Sequence, residues 1–202
     1  IAPPGLDALS RMGELIRTHG VTVLWLTSGL FQLSVTENVE ALAPVRVVLT
    51  GGDVVPVAHA SRFLERCPDT TLIDGYGPTE NTTFTCCYVV PRPLDETVDA
   101  IPIGRPIANT HVYILDAYGR PQPIGMPGEL HIGGDGLARG YLNDEVLTRE
   151  KFVADPFRPG EVMYKSGDLA RWREDGVVEF LGRVDTQLKI RGFRIETGEI
   201  ET

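Results

Sequence analysis

The sequence has 202 residues, of which 42% are hydrophobic and 23% charged, and its formal net charge is −9. This size and composition suit one large domain or two small ones, with a core that folds without disulfide bonds. The acidic balance and the scattered Lys and Arg residues argue against a nucleic-acid partner, and no apolar run approaches the ~18 residues needed to cross a bilayer.

The first ~85 residues alternate between helical and strand patterns. Apolar residues at helical spacing predict a helix over 6–19, and the continuous apolar run at 21–26 predicts a strand buried on both faces. The same alternation then predicts a helix over 28–41, a strand over 45–52, a helix over 56–67 and a strand over 71–77. Such an alternation indicates a layered α/β part with a mostly parallel sheet, which we assign to residues 1–100.

From Pro91 onward the pattern changes to short alternating segments separated by Gly and Pro. These segments predict strands over 111–116, 128–134, 177–182 and 187–192. Short strands of this kind are typical of an antiparallel, barrel-like part. We assign that part to residues 101–184, with the Pro-rich stretch 91–106 as the boundary.

The cysteines and histidines give no sign of a metal or catalytic centre. Cys67, Cys86 and Cys87 lack metal-ligand spacing, and the adjacent pair lies in an apolar stretch. Buried, reduced thiols are the better interpretation, and they indicate a cytoplasmic location. None of the four histidines has a partner at a sensible spacing, so we assign none of them a catalytic role.

Three of the predicted strands end in glycine-rich or polar loops, at 27–29, 50–53 and 74–80. Ligands of an open α/β sheet bind at the carboxyl ends of its strands, so these loops together predict a binding site. For the Gly51-Gly52 pair alone, the alternative is that glycine simply turns the chain.

The third of these loops has the side chains that a nucleotide and its metal require. Gly75 and Gly77 allow the backbone to approach a flat ligand closely, and Tyr76 offers an aromatic face for stacking. Thr79 supplies a hydroxyl for a phosphate oxygen, and Glu80 supplies a hard oxygen ligand suited to Mg²⁺.

Four long motifs follow one another along the chain: GYGPTENTT (75–83), GELHIGGDGLARGYL (128–142), YKSGDLARW (164–172) and GRVDTQLKIRGFRIETGEIE (182–201). Together they resemble the motifs of adenylate-forming, AMP-binding enzymes, in the order expected of that superfamily. The wording of the second and fourth motifs is similar to that of adenylation domains in nonribosomal peptide synthetases. The resemblance covers essentially the whole chain.

The resemblance implies roles for individual residues. Tyr76 would stack on adenine, Thr79 would contact the α-phosphate, Glu80 would bind Mg²⁺, and Asp168 would hold the ribose hydroxyls. The implied ATP or AMP contacts are Gly52, Asp74, Gly75, Tyr76, Gly77, Thr79, Asp168, Phe180, Arg183 and Lys189, with Thr79, Glu80 and Arg183 as the catalytic set.

The same resemblance implies a hinge at Asp185, at the start of a small C-terminal α+β subdomain that we place at 185–202. Each assignment has a structural alternative. Asp168 could be a turn residue, Asp185 a strand-end cap, and Lys189 part of an exposed face.

The resemblance also implies an amino-acid pocket. Its lining would be Trp25, Leu49, Gly51, Gly75, Thr83 and Phe84. This set is apolar and uncharged, and two aromatic rings take up much of its volume, so a small branched aliphatic side chain suits it. Valine is the predicted substrate, followed by isoleucine or a related non-proteinogenic residue. The alternative is that Trp25 and Phe84 are ordinary core aromatics.

The implied activity is the formation of aminoacyl-AMP from ATP, followed by transfer to the phosphopantetheine thiol of a carrier domain. The implied partners are a peptidyl carrier domain and a condensation domain of the same synthetase. We expect the chain to be a fragment that is inactive alone, because the family's phosphate loop would precede Ile1 and its catalytic lysine would follow Thr202. Two other functions stay open, an acyl-CoA synthetase and a silent scaffold with the same fold.

Overall fold

A computed structural model describes residues 11–95 and 97–184, together with the backbone of 188–190 and 193–195. Within these residues the chain forms two compact units. The first unit contains residues 11–74 and 89–101, and the second contains residues 75–88 and those from 102 onward. Among the described helices, none is both long and apolar enough to serve as a membrane span.

The first unit alternates helices and strands. Its elements are α1 (Met12–His19), β1 (Val23–Thr27), α2 (Ser28–Asn38) with a following 3₁₀ turn (Val39–Leu42), β2 (Val47–Gly51), α3 (Val57–Arg66) and the first part of β3 (Thr71–Tyr76). Strands β1 and β2 are parallel neighbours, with Val23 opposite Val47 and Thr27 opposite Gly51. The chain passes into the second unit within β3.

Local chemistry sets the ends of these helices. Helix α1 stops at Gly20, whose φ of 59° is left-handed, and the Val21 N–H then donates to the Ile16 carbonyl oxygen at 3.0 Å. Helix α2 starts where the Thr27 hydroxyl accepts a hydrogen bond from the Leu30 N–H at 3.3 Å. A buried aromatic pair, one ring from α2 and one from α3, then joins the two helices, with ring centroids 5.5 Å apart.

Strand β1 differs from its prediction. We expected it to be buried on both faces, but Val23 and Trp25 are 52% and 44% exposed, while Leu26 is buried. Only the face that contains Leu26 contributes to the core of this unit. A continuous apolar run therefore identified the strand without showing that one of its faces is open.

The second unit is built from antiparallel strands. Its elements are the end of β3, a 3₁₀ turn (Thr79–Asn81), β4 (Cys86–Val89), β5 (Arg105–Pro106), β6 (Thr110–Leu115), β7 (Gly128–Gly134), α4 (Glu145–Lys151), β8 (Phe152–Ala154), β9 (Val162–Trp172) and β10 (Val178–Arg183). The main sheet has the order β10–β9–β7–β6, and β8 pairs with β9. Strands β4 and β5 are antiparallel neighbours, with Cys86 opposite Pro106 and Cys87 opposite Arg105, and they complete the five-stranded sheet of order β1–β2–β3–β4–β5.

An apolar core supports the second unit. It consists of Cys86, Ile103, Val112, Ile114, Leu130, Ile132, Tyr164, Ala170 and Val178. Cys67, Cys86 and Cys87 are free, and burial raises the pKa of the Cys86 thiol to about 12. That thiol is therefore protonated and inert at neutral pH, in line with the expected reduced pair, although Cys87 is only half-buried.

The predicted fold class, an α/β part with a mostly parallel sheet followed by a barrel-like antiparallel part, is confirmed. Strand β7 has the predicted bounds, 128–134. A short antiparallel pair follows, β11 (Leu188–Ile190) with β12 (Phe193–Ile195). The division of the chain into three parts at 100 and 184 stays a prediction.

Candidate functional site

The site begins at the tight turn after β3, which requires glycine. A Cβ on Gly77 would stand 2.5 Å from the Thr83 carbonyl oxygen, and one on Gly75 would stand 2.5 Å from the Phe84 ring. Across this turn, the Thr85 N–H donates to the Tyr76 carbonyl oxygen at 2.7 Å. The chain therefore doubles back on itself and presents the 3₁₀ turn Thr79–Asn81 at its tip.

Two consecutive threonines carry the strain of this turn. Thr82 and Thr83 have φ values of 45° and 72°, a region that β-branched residues rarely adopt. The Thr82 hydroxyl donates to the Gly136 carbonyl oxygen at 2.7 Å, which ties the turn to the segment after β7. Backbone strain held in place by neighbouring contacts is common at functional sites.

Glu80 is buried at this tip, with 5% of its surface exposed. The Tyr141 hydroxyl donates to the Glu80 Oε1 atom at 2.6 Å, and the Ala138 N–H donates to the Glu80 carbonyl oxygen at 2.8 Å. Tyr164 lies beside Tyr141, with 3.5 Å between the two hydroxyl oxygens. Burial raises the pKa of Tyr164, and its hydrogen bond to Tyr141 raises it further, so Tyr164 stays neutral.

Tyr141 is a site residue that the sequence analysis did not select. It lies in the GLARGYL segment of the second motif, where a tyrosine could equally be a packing residue with no role in the site. Only the contact with Glu80, 61 residues earlier in the chain, shows that its hydroxyl orients a carboxylate.

Asp168 is the centre of the second half of the site and is 4% exposed. Its Oδ2 atom accepts a short hydrogen bond from the Tyr76 hydroxyl, and its Oδ1 atom lies 2.5 Å from an Arg183 nitrogen. Burial is the main cause that raises the pKa of Tyr76, and the Asp168 charge adds to it. Tyr76 is therefore a stable donor, and the carboxylate is held from both sides.

The sheet explains why Arg183 reaches Asp168. The two residues are opposite each other on β10 and β9, after a bulge between Phe180 and Gly182 shifts the register. The same guanidinium donates to the Ser166 carbonyl oxygen at 3.2 Å. Arg183 therefore fastens both Asp168 and the part of β9 that carries it.

A further carboxylate fixes that part of β9. The Glu129 Oε1 atom accepts from the Gly167 N–H at 3.1 Å, and the Ser166 hydroxyl accepts from the Asp168 N–H at 3.0 Å. Ser166 in turn donates to the Leu130 carbonyl oxygen at 2.6 Å. Neighbouring strands therefore hold the backbone on which Asp168 stands, which keeps its carboxylate in place without a ligand.

The second unit thus contains most of the predicted nucleotide contacts, and it connects Tyr76, Asp168 and Arg183 directly. Tyr76 and Phe180 both pack against the core of this unit. Gly52 and Asp74 belong to the first unit, where Asp74 is buried and Gly52 has a φ of 79°. Asp185 and the Lys189 side chain lie outside the described residues.

Three of the six predicted pocket residues share one face of the β1–β2 sheet. Trp25 is opposite Leu49, and Gly51 follows on the same face of β2. The loops after these strands meet, because the Ser28 hydroxyl donates to the Val54 carbonyl oxygen at 2.7 Å. Of the other three, Gly75 and Phe84 contact each other in the second unit, next to Thr83.

This arrangement is suited to a polar ligand with an attached metal. Asp168 is a buried carboxylate, a group that accepts hydrogen bonds from donors such as neighbouring hydroxyls. Glu80 provides a buried carboxylate whose orientation is fixed by Tyr141. A single, oriented hard oxygen ligand of this kind fits Mg²⁺ that is also bound to phosphates.

Comparison with known proteins gives one family and several relatives. The family model described as AMP-binding enzyme matches residues 1–142. Tyrocidine synthase 3 of Brevibacillus parabrevis is 52% identical over 197 residues, which cover 98% of this chain and 3% of that protein. Gramicidin S synthase 2 of Brevibacillus brevis is 51% identical over 197 residues, which cover 98% of this chain and 4% of that protein.

Solved structures agree with these relatives. PA1221, an NRPS protein containing adenylation and PCP domains, has a TM-score of 0.90 and 42% identity, over 96% of this chain and 39% of that chain. An artificially fused adenylation-PCP di-domain NRPS from Klebsiella oxytoca has a TM-score of 0.90 and 33% identity, over 100% of this chain and 40% of that chain. The chain thus spans only a small part of the proteins it resembles.

Proposed function

This chain belongs to the AMP-binding enzyme family, and on that basis we propose that it is part of an amino-acid-activating adenylation domain of a nonribosomal peptide synthetase. The carboxylate of the amino acid attacks the α-phosphate of ATP, which forms aminoacyl-AMP and releases pyrophosphate. The acyl group then passes to the phosphopantetheine thiol of a carrier domain, which forms a thioester and releases AMP.

The observation that carries this proposal is the pairing of Asp168 with Tyr76 and Arg183. An aromatic ring suited to stacking and a carboxylate suited to two hydroxyls are joined by one hydrogen bond. A base and a ribose are adjacent in a nucleoside, so a ring suited to stacking beside a carboxylate that accepts from hydroxyls suits such a ligand. Arg183 adds a positive charge beside it, which suits the phosphate of ATP or AMP.

Glu80 is proposed as the protein ligand of Mg²⁺. When bound, Mg²⁺ would neutralise charge on the phosphates and leave the α-phosphate open to attack. The role of the chain is to hold the Glu80 carboxylate in place through Tyr141 and through the backbone contact with Ala138. Thr79, one residue earlier, is proposed to contact the α-phosphate.

Positioning accounts for most of the catalysis in this proposal. Reaction at phosphorus needs the attacking and leaving oxygens in line, and fixed groups achieve this without reorganising during the reaction. Tyr76 and Asp168 would fix the nucleoside, Arg183 and Thr79 the phosphate. Each of these side chains is supported by the sheet or by the strained turn described above.

The substrate proposed is valine, and the β1–β2 face supports it. Trp25 and Leu49 are apolar neighbours, and Gly51 leaves space beside them at the carboxyl end of β2. A surface of this kind has no charge to pair with a charged side chain, and it suits a short branched one. Because one methylene is worth only about 1–3 kcal/mol, some activation of isoleucine is expected.

The partners proposed are the peptidyl carrier domain and the condensation domain of the same synthetase. The proteins of solved structure that this chain resembles contain adenylation and PCP domains, which supports the first of these. A cytoplasmic location is part of the proposal, because Cys67, Cys86 and Cys87 are free thiols.

ATP–pyrophosphate exchange in the whole protein that carries this chain tests the proposal. We expect exchange that depends on valine, with weaker signals for isoleucine and leucine and almost none for charged amino acids. Thioester formation on free coenzyme A, without exchange driven by any amino acid, would instead favour an acyl-CoA synthetase. Failure to bind ATP would favour a silent scaffold.

A further inference from the structure

A second group of ligand-type side chains lies in the second unit, among residues that the proposed reaction does not use. It consists of His111 on β6, Asp155 just after β8 and Glu161 just before β9. One nitrogen or oxygen of each residue lies within 4.8 Å of the others. The His111 Nε2 atom is 3.2 Å from the Asp155 Oδ2 atom and 3.9 Å from the Glu161 Oε2 atom.

The loop between β8 and β9 fixes both carboxylates. The Asp155 N–H donates to the Glu161 carbonyl oxygen at 3.0 Å, which closes the loop and places the two residues side by side. The Asp155 Oδ1 atom accepts from the N–H groups of Phe157 and Arg158, at 2.8 and 3.2 Å. Oδ1 therefore holds the loop, while Oδ2 faces His111 and also accepts a hydrogen bond from the Tyr113 hydroxyl at 3.1 Å.

The imidazole of His111 is fixed as well. His111 is opposite Gly133 on β7, and a Cβ at position 133 would stand 2.1 Å from the His111 Nε2 atom. The ring therefore lies across the glycine, and its centroid is 5.4 Å from the Tyr113 ring centroid. Because Gly133, in the GELHIGG segment, has no side chain, the His111 ring can lie where its Nε2 atom is near the two carboxylates.

The group opens onto a cavity of about 790 Å³. Its lining includes His111 and Glu161 together with Asn109, Asp135 and Arg158. The Asp155 side chain is fully buried, whereas Glu161 is 49% exposed. Asp155 is thus held in place, Glu161 is half exposed with its Oε1 atom 3.7 Å from an Arg158 nitrogen, and solvent has access to the side that faces the cavity.

We propose that His111, Asp155 and Glu161 form a Zn²⁺ site with its fourth coordination position open to this cavity. Zn²⁺ takes nitrogen and oxygen ligands at about 2.0–2.2 Å in a tetrahedron, so its ligand atoms stand about 3.3–3.5 Å apart. The His111 to Asp155 distance is close to that value, and a small rotation of the exposed Glu161 brings the third ligand in. Mg²⁺ prefers oxygen ligands, whereas an imidazole nitrogen favours Zn²⁺ or Co²⁺.

The bound metal would fasten the β8–β9 loop to β6. The chain would gain heat stability in Zn²⁺ by mass action, since the unfolded chain does not bring these ligands together. The site shares no residue with the proposed ATP contacts. Its failure would therefore leave the adenylation proposal untouched, and the reverse also holds.

Metal titration of the metal-free whole protein that carries this chain tests this proposal. We expect one equivalent of Zn²⁺ by calorimetry, one equivalent of Co²⁺ with the strong visible absorption of a tetrahedral complex, and a higher melting temperature in Zn²⁺. Glu161→Gln and His111→Gln should each weaken binding at least tenfold and remove the stabilisation. His19→Gln and Glu150→Gln, at exposed positions outside the group, should change neither.

Glu161→Gln is the decisive variant, because an exposed side chain can be changed without loss of the fold, even if His111→Gln disturbs β6. No binding by the parent chain would overturn the proposal. So would unchanged binding in Glu161→Gln, since His111 and Asp155 would then be only a structural pair, and so would equal loss in His19→Gln.

Discussion

The proposed nucleotide side and the proposed amino-acid side of this molecule differ in how their residues are held. In the second unit, Asp168 and Glu80 are buried carboxylates that already accept hydrogen bonds from Tyr76, Arg183 and Tyr141. In the first unit, the face that carries Trp25 and Leu49 is apolar and partly open. On the first side hydrogen bonds hold charged groups in place, and on the second an apolar surface would select a ligand by its size and shape.

This difference has energetic consequences. A buried carboxylate held by neighbours is costly to disturb, because any change leaves a charge or a donor unpaired. A half-exposed apolar wall can change at little cost in stability, because few partners depend on it. We therefore expect substitutions on the nucleotide side to abolish activity and substitutions on the amino-acid side to redirect it.

The largest effect is expected for Asp168→Asn, which keeps the shape and removes the charge. Hydrogen bonds to charged groups are worth about 1.5–3 kcal/mol each, so the loss of the ribose acceptor should lower ATP affinity about 10- to 100-fold. ATP–pyrophosphate exchange in the whole protein should fall at least as far. Asp69→Asn, an exposed carboxylate of the first unit, is the matched control and should leave both unchanged.

The next largest effect is expected for Glu80→Gln and, more weakly, for Tyr141→Phe. Glu80→Gln removes the proposed metal ligand, so exchange should fall steeply at every Mg²⁺ concentration.

Tyr141→Phe removes one hydrogen bond and leaves the carboxylate, so exchange should fall about tenfold and recover partly in excess Mg²⁺. Tyr118→Phe, at a tyrosine that is 82% exposed, is the control. Equal activity of the Tyr141 and Tyr118 variants would contradict a positioning role.

A change of substrate, with activity retained, is expected for Trp25→Ala. The shortened wall should favour larger side chains over valine by about 1–3 kcal/mol, seen as a changed ratio of exchange rates across aliphatic and aromatic amino acids. ATP affinity should stay the same. Val23→Ala, an equally exposed position on the same strand, should leave the ratio as it is. A parallel loss with every amino acid would show that Trp25 is structural.

The smallest effect concerns acid stability and arises in the second unit. Burial lowers the pKa of His131 below its usual value, so the folded chain binds this proton less readily than the unfolded chain does. The contribution of neutral His131 to the free energy of unfolding is fully present at pH values above the unfolded pKa of about 6.5. This contribution decreases as the pH falls below that value. Urea unfolding at several pH values should show that slope, and His131→Gln should flatten it. A slope that persists in the variant would assign it to another group.

Residue types and short-range patterns were enough to predict much of this molecule. Strand β7 follows directly from the alternation at 128–134, and the turn after β3 follows from closely spaced glycines around an aromatic residue. The predicted contact set at Tyr76, Asp168 and Arg183 rested on the family resemblance, and the structure connects these three residues through hydrogen bonds.

What the sequence did not reveal depends on register between distant strands. Tyr141 reaches Glu80 across 61 positions, and His111 meets Asp155 across 44. Sequence spacing does not reveal the partners of His111, because they come from a loop between two later strands. The sequence also did not show which face of β1 is exposed to solvent. A continuous apolar run is compatible with burial of one face or of both.

The central claim is that the proposed nucleotide side and the proposed amino-acid side act separately. Calorimetric titration of ATP into Asp168→Asn and Trp25→Ala, in the whole protein that carries this chain, tests it most directly. We predict that Asp168→Asn loses ATP affinity at least tenfold, while Trp25→Ala binds ATP as the parent protein does. Parental ATP affinity in Asp168→Asn would contradict the account, because the buried carboxylate would then have no part in holding the nucleotide.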